Sequence, residues 1–168
     1  MERSKQALRA LKAGTATYDQ FLETICREIT EQVSSTRASV WMFTEPLRDA
    51  IECACLYDQR DGSVQRGAVL REEDFPDYFA AVTTSLRVVA PDAITHPATR
   101  AFDDVYFAPL DIRSLLDFVV LIGDRPVAVL CCEHCAEQKQ WTQADSDYLQ
   151  AMSSVLTFGL KQQERAAA

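Results

Sequence analysis

The sequence is poor in the residues that most often mark a catalytic or nucleic-acid-binding protein. Its 168 residues include two histidines and five glycines, and 25 acidic side chains outnumber 17 basic ones. The glycines are scattered, so no Gly-rich loop is available to cradle phosphate and no Gly-x-Ser-x-Gly elbow presents a serine. Neither His96 nor His134 stands in a spacing with Asp and Ser that suggests a triad. A formal charge of -8, with no dense basic run, argues against nucleic acid and against an anionic membrane surface as partners. The longest apolar stretches, Phe118 to Ile122 and Val127 to Cys132, are strand-sized, far below the roughly 20 residues of a membrane-spanning helix. The first residues, MERSKQALRALKAG, carry charge throughout and lack the apolar run of a signal peptide. A cytoplasmic protein is expected, and its six cysteines are then free thiols by default.

What is present is one domain's worth of alternating periodicities. Phe21, Leu22, Ile25, Ile29 and Val33 recur at helical spacing behind Thr17 and Gln20, which have the form of a capping box. A second helix is expected after Trp141, started by Thr142 and Asp145, with Tyr148, Leu149, Met152, Val155, Leu156 and Leu160 as its stripe. That stripe is longer than one face of a small sheet requires, which predicts a homodimer through the terminal helices. Between the helices the period shortens to strands at Ala38 to Thr44, Ile51 to Asp58, Gln65 to Leu70, Arg87 to Ala90, Ser114 to Ile122 and Val127 to His134. Gly123-Asp124 places Gly where a two-residue hairpin turn needs it. A short helix is expected from Asp74 to Ser85, and Pro91 to Pro109 reads as a long loop of the kind that carries function. The fold class is therefore α+β: an antiparallel sheet of five or six strands, long terminal helices on one face, and a helix and loop layer on the other. Residues 1–14 form an N-terminal helical extension, 15–164 the domain, and 165–168 a tail.

Several motifs in this order resemble the GAF domains, sensory modules with a profilin-like or PAS-like sheet: RASVWMF at 37 to 43, PDYF at 76 to 79, PDAITHPAT at 91 to 99, IRSLLDFVV at 112 to 120, and VLCCEH followed by QWTQAD at 129 to 145. The similarity is greatest to bacterial GAF domains attached to histidine kinases and diguanylate cyclases. It implies a ligand cavity beneath the 91 to 109 segment, signalling without chemistry, and transmission through the terminal helices to an output domain or protein. The alternatives are a structural dimerisation domain without ligand and, more remotely, a cysteine-dependent free methionine-R-sulfoxide reductase. The reductase needs cavity cysteines in mid-chain, and residues 60 to 128 contain none. The same gap argues against a covalently attached bilin, and the Asn-Lys, Phe and Asp-Glu signature of cyclic-nucleotide binders is missing. No cofactor can be named.

The resemblance and the residue chemistry together nominate His96, Thr99, Phe102, Tyr106, Leu115 and Asp117 as ligand-binding positions. His96, Thr99, Arg100 and Tyr106 would supply donors, favouring a small neutral or anionic ligand. Asp117 lies in SLLDFVVLI, where a carboxylate must find a partner. A strict two-residue turn pairs Ile122 with Arg125, sets Asp117 on the face of Leu130, Cys132 and His134, and leaves backbone or Thr99 as its partner. Cys131, Cys132, His134 and Cys135 suggest zinc, but alternation sends Cys131 and Cys132 to opposite faces and no metal site is expected. Cys53 and Cys55 would share a face by the same alternation, and Glu133, His134 and Trp141 would support the start of the last helix. Trp41 could face either layer.

Overall fold

Both long helices begin at the boxes their sequences promise. Thr17 Oγ1 accepts the Gln20 N–H while the Gln20 side chain accepts the Thr17 N–H, opening α2 (Tyr18–Gln32). Thr142 and Asp145 exchange the same bonds at the start of the last helix, α5 (Gln143–Ala167). These bonds satisfy N–H groups that a helix start leaves unpaired. The computed structural model describes residues 1–167; Ala168, the end of the expected tail, lies outside the described residues. The 1–14 extension contains α1 (Glu2–Lys12), which packs on α2 and α5 through Leu8 and is tied to α2 where the Ser4 N–H donates to Glu28 at 2.8 Å.

The sheet has seven antiparallel strands: β1 (Arg37–Phe43), β2 (Ala50–Asp58), β3 (Ser63–Gln65), β4 (Val69–Arg71), β5 (Arg87–Ala90), β6 (Ile112–Ile122) and β7 (Arg125–Cys135). Their order is β3-β2-β1-β7-β6-β5, and β4 pairs with the other half of β2. The single strand expected near Gln65 to Leu70 is thus two short ones, which meet opposite ends of β2. On one face α1, α2 and α5 enclose an aliphatic core around Phe21, Ile25, Leu149 and Met152. On the other, α3 (Pro76–Thr84) and the 91–111 segment enclose an aromatic one. That segment is not a plain loop: a 3₁₀ turn (Arg100–Phe102), a π-helical turn (Asp103–Phe107) and α4 (Ala108–Leu110) run on without a break. Short π-helical turns occur disproportionately at functional sites.

Two bulges overturn face assignments made by strict alternation. Ile122 does pair with Arg125 and Leu121 with Pro126, but Val120 then pairs with Ala128, so Val127 is an extra residue. Pro126 cannot donate to the ladder, and a bulge is where a strand tolerates that. The pairs from Val120 back to Ser114 shift by one: Asp117 faces Cys131 and shares its face with Glu133, not with Leu130, Cys132 and His134. In the same way β1 and β2 slip between Val40 and Trp41, leaving Ala54 as the extra residue. Cys53 therefore joins the aromatic side and Cys55 the aliphatic side, where the Cys26 thiol donates to the Cys55 carbonyl at 3.7 Å. Cys131 and Cys132 do face opposite layers.

The α5 stripe is used within the chain: Leu149, Met152, Val155, Leu156 and Leu160 are all buried, and Phe158, 56% exposed, is the large apolar side chain that α5 leaves outside. Among the described residues no helix is long and apolar enough to cross a membrane.

Candidate functional site

Between the sheet and its aromatic cover lies a cavity of about 20 Å³, room for about one water molecule. Its cover is aromatic: Tyr78 from α3, with Phe102, Tyr106 and Phe107 from the irregular helical segment. The rings interlock, Phe75 stacking on Phe102 with centroids 4.2 Å apart and Tyr78 meeting Phe102 edge-on at 5.2 Å. The floor is the sheet, which contributes Trp41 from β1, Leu115 and Asp117 from β6, and Cys131 and Glu133 from β7.

Asp117 is fully buried on an interior strand. The Tyr78 hydroxyl donates to its Oδ2 at 2.6 Å, whereas Oδ1 has no hydrogen-bond partner. The Cys131 thiol lies beside it across the β6–β7 pair. Burial drives the Asp117 carboxyl up to about 7; the Cys131 and Tyr78 donors restrain the rise and Glu133 adds to it. The Cys131 thiol is itself pushed well above its ordinary value by burial, then by Asp117 and Glu133.

Glu133 opens a chain of charges that leads out of the cavity. It accepts from Tyr106 Oη at 3.3 Å and lies 2.8 Å from Arg37 Nη1; Arg37 Nε is 3.3 Å from Asp58, and Arg60 grips Asp58 through Nε and Nη2. Arg60 Nη1 then donates to the Leu110 carbonyl at 3.1 Å, pinning the end of the aromatic cover. Burial lifts the Glu133 carboxyl and Arg37 draws it partly back, while Arg37 itself is held protonated against its own burial by Glu133, Tyr106 and Asp58. The buried Arg37 guanidinium is ion-paired to both carboxylates, and removing it would strand both.

Four of the six nominated residues, Phe102, Tyr106, Leu115 and Asp117, line the cavity. The other two do not. His96 Nδ1 accepts the Ala98 N–H at 3.2 Å and the Thr99 hydroxyl donates to the Ala93 carbonyl at 2.7 Å, so both shape the segment from within. Arg100 is exposed. The cluster of donors expected over the cavity therefore does not form, and the cavity presents acceptors instead. Asp117 is partnered by Tyr78, not by Thr99, and Glu133 turns into the cavity instead of fixing the loop before α5. Trp41 takes the cavity side, its Nε1–H bound to Ser39 Oγ at 2.8 Å. Sequence reasoning missed Tyr78, Arg37 and Cys131 as parts of the site. The first needed a partner distant in sequence, and the other two needed the true register.

A model of the GAF domain family matches residues 17–159. The chain is a GAF domain. A comparison with curated proteins found no match. Among solved structures it is similar to the phycoerythrobilin-bound GAF domain of a cyanobacterial phytochrome (TM-score 0.73, 12% identity, 95% of this chain and 94% of that one). It is also similar to the free methionine-R-sulfoxide reductase of Neisseria meningitidis in complex with its substrate (TM-score 0.69, 14% identity, 97% and 91%). A third similar structure is the GAF domain of a two-component sensor histidine kinase from Bacillus halodurans (TM-score 0.65, 17% identity, 88% and 98%). At these identities the likeness establishes the fold. GAF domains with such different attachments share it, so this domain's role has to be argued from its own cavity.

Proposed function

We propose that this GAF domain is a non-enzymatic, cytoplasmic signal-input module whose cavity takes a small molecule and whose terminal helices report its presence to an output domain or partner protein. The observation that carries the reading is Asp117, a cavity-lining residue whose buried Oδ1 has no partner within the protein. A buried carboxylate oxygen without a protein partner costs stability until a water, an ion or a ligand completes it, and this one belongs to a residue of the cavity wall. Alternation supplies the route to the helices: Cys131 lines the cavity, while the next residue, Cys132, packs in the helix-side core with α2 and α5. A shift of β7 on ligand entry is thus felt by both layers. Cavity chemistry by thiolate is disfavoured, because Cys131 is the sole cysteine in the lining and burial beside Asp117 keeps it protonated. The exposed Phe158 on α5 marks the surface for a homodimer contact through the terminal helices.

The small volume favours one rival, a dimerisation domain whose cavity is filled by its own side chains. A thermal-shift survey of metabolites on wild type and Leu115→Phe separates the two. Leu115→Phe extends the floor into the remaining space, so a cavity ligand should stabilise wild type, by about 2.7 kcal/mol at one hundred times its Kd, and not the variant. Equal stabilisation of both proteins, or none of either, would sink the cavity reading.

A further inference from the structure

We infer that the cavity selects a small organic cation carrying an N–H donor, such as a primary ammonium or an amidinium, with Asp117 Oδ1 as its acceptor and the aromatic cover around it. This rests on the sensing reading above and specifies the chemistry of its ligand.

Three observations converge. Asp117 Oδ2 is already engaged by Tyr78, so the oxygen left without a protein partner is one buried carboxylate oxygen, which a donor completes. The charges around the cavity do not balance. Arg37 and Arg60 are the two guanidinium groups of the network, and they serve Glu133 and Asp58, leaving the third carboxylate, Asp117, without a counter-ion. The remaining lining is largely ring faces and edges, Trp41, Tyr78, Phe102, Tyr106 and Phe107, and aromatic faces attract cations, more so when both are out of water. An anion would lie against Glu133 with the Tyr78 and Tyr106 hydroxyls already committed to carboxylates; an uncharged apolar ligand would offer Asp117 neither a charge nor a hydrogen bond. Such a cation is larger than the closed cavity, so the Phe102 and Tyr106 rings swing outward to admit it.

The same geometry couples binding to a proton. The groups that face Asp117 are Tyr78 from α3, Cys131 and Glu133 from β7 and Tyr106 from the cover, with Trp41 from β1 and Val88 from β5 bringing no charge. Tyr78, Tyr106 and Cys131 are all raised by burial and stay neutral. Without a cation, then, the charge of Asp117 is neutralised by its own proton, held to about 7. A cation that enters takes the place of that proton, which leaves to solvent.

Isothermal titration calorimetry of the whole chain tests this with n-butylammonium and benzamidinium, and with n-butanol and benzamide as their uncharged counterparts. The cations should bind at least tenfold more tightly than the counterparts. Their affinity should rise about tenfold from pH 6 to pH 8, a range in which both stay charged, and level off above. Near pH 6.5 the heat should vary with the buffer's ionisation enthalpy, showing proton release from the unmodified protein. Asp117→Asn should lose the charge preference and the pH dependence while still unfolding cooperatively. Equal binding of the uncharged counterparts, undiminished cation binding by Asp117→Asn, or no cation binding by wild type would each overturn the assignment. In any of those cases a neutral or anionic metabolite that stabilises wild type but not Leu115→Phe leaves the sensing reading standing, whereas the absence of any such metabolite removes both.

Discussion

The two faces of the sheet are built on different terms. On the helix side Phe21, Ile25, Ile29, Leu149 and Met152 are fully buried among other aliphatic groups, and the core is held by burial and close packing. On the cavity side the buried set includes Asp117, Glu133, Arg37, Asp58 and Thr99, so the layer depends on polar groups finding partners out of water. The first arrangement depends on the fit of apolar side chains against one another. The second is stable only while each charge keeps its partner, and such a layer can respond when a partner is added. The difference puts the cavity and its charged network on one face and the close-packed apolar core on the other.

The sharpest way to break that comparison is to damage each face once. Phe21→Ala, on the helix side, should cost about 3–5 kcal/mol in chemical denaturation, with the same loss at pH 5 and pH 8. Arg37→Met, on the cavity side, should cost a similar 3–5 kcal/mol because it strands Glu133 and Asp58, and Glu133→Gln added to it should recover part of the loss. If the second variant is no less stable than wild type, the cavity side is not organised by charge.

The next effect is smaller and concerns pH. A carboxyl raised by folding stabilises fully below its unfolded value and loses that contribution as pH climbs to the folded value. Since Asp117 is raised to about 7 by burial, wild type should lose roughly 3 kcal/mol between pH 5 and pH 8 from this group, and Asp117→Asn should flatten the profile. Glu28 and Asp58 are lowered and act in the opposite sense below about pH 4.5, so maximal stability should fall near pH 5. Denaturation midpoints that do not change between pH 5 and pH 8 in wild type would show Asp117 to be ionised and solvated.

The smallest effect probes packing on the helix side. Gly159 lies on α5, and a Cβ there would collide with the edge of the Phe21 ring, and Phe21 is fully buried. Helix propensity alone would make Gly159→Ala stabilising by about 1 kcal/mol. Contact with the ring should reverse the sign to a loss of about 1–3 kcal/mol, read from the thermal midpoint. A gain would mean that α2 and α5 can move apart freely.

Local physics accounts for the features that follow from the chain alone. The helix boundaries followed from Thr17, Gln20, Thr142 and Asp145, because a capping box is satisfied within four residues. The helix-side core followed from the 3.6-residue spacing of its apolar positions, and the α+β layering from the order of helices and strands. Residues such as Phe102, Tyr106 and Leu115 could be nominated because an aromatic or aliphatic side chain in a long segment over a sheet has few other places to go. The cavity's chemistry was decided only in three dimensions. One extra residue at Val127 moves Asp117 from His134 to Cys131 and Glu133, and one at Ala54 separates Cys53 from Cys55. A bulge costs little and leaves almost no trace in a hydrophobic pattern, yet with a side-chain period of two it reassigns every residue beyond it. Tyr78 reaches Asp117 across 39 positions of sequence, and Arg37 joins Asp58 to Glu133 from the middle strand of three. Those partnerships depend on distance through space, which composition and spacing do not encode.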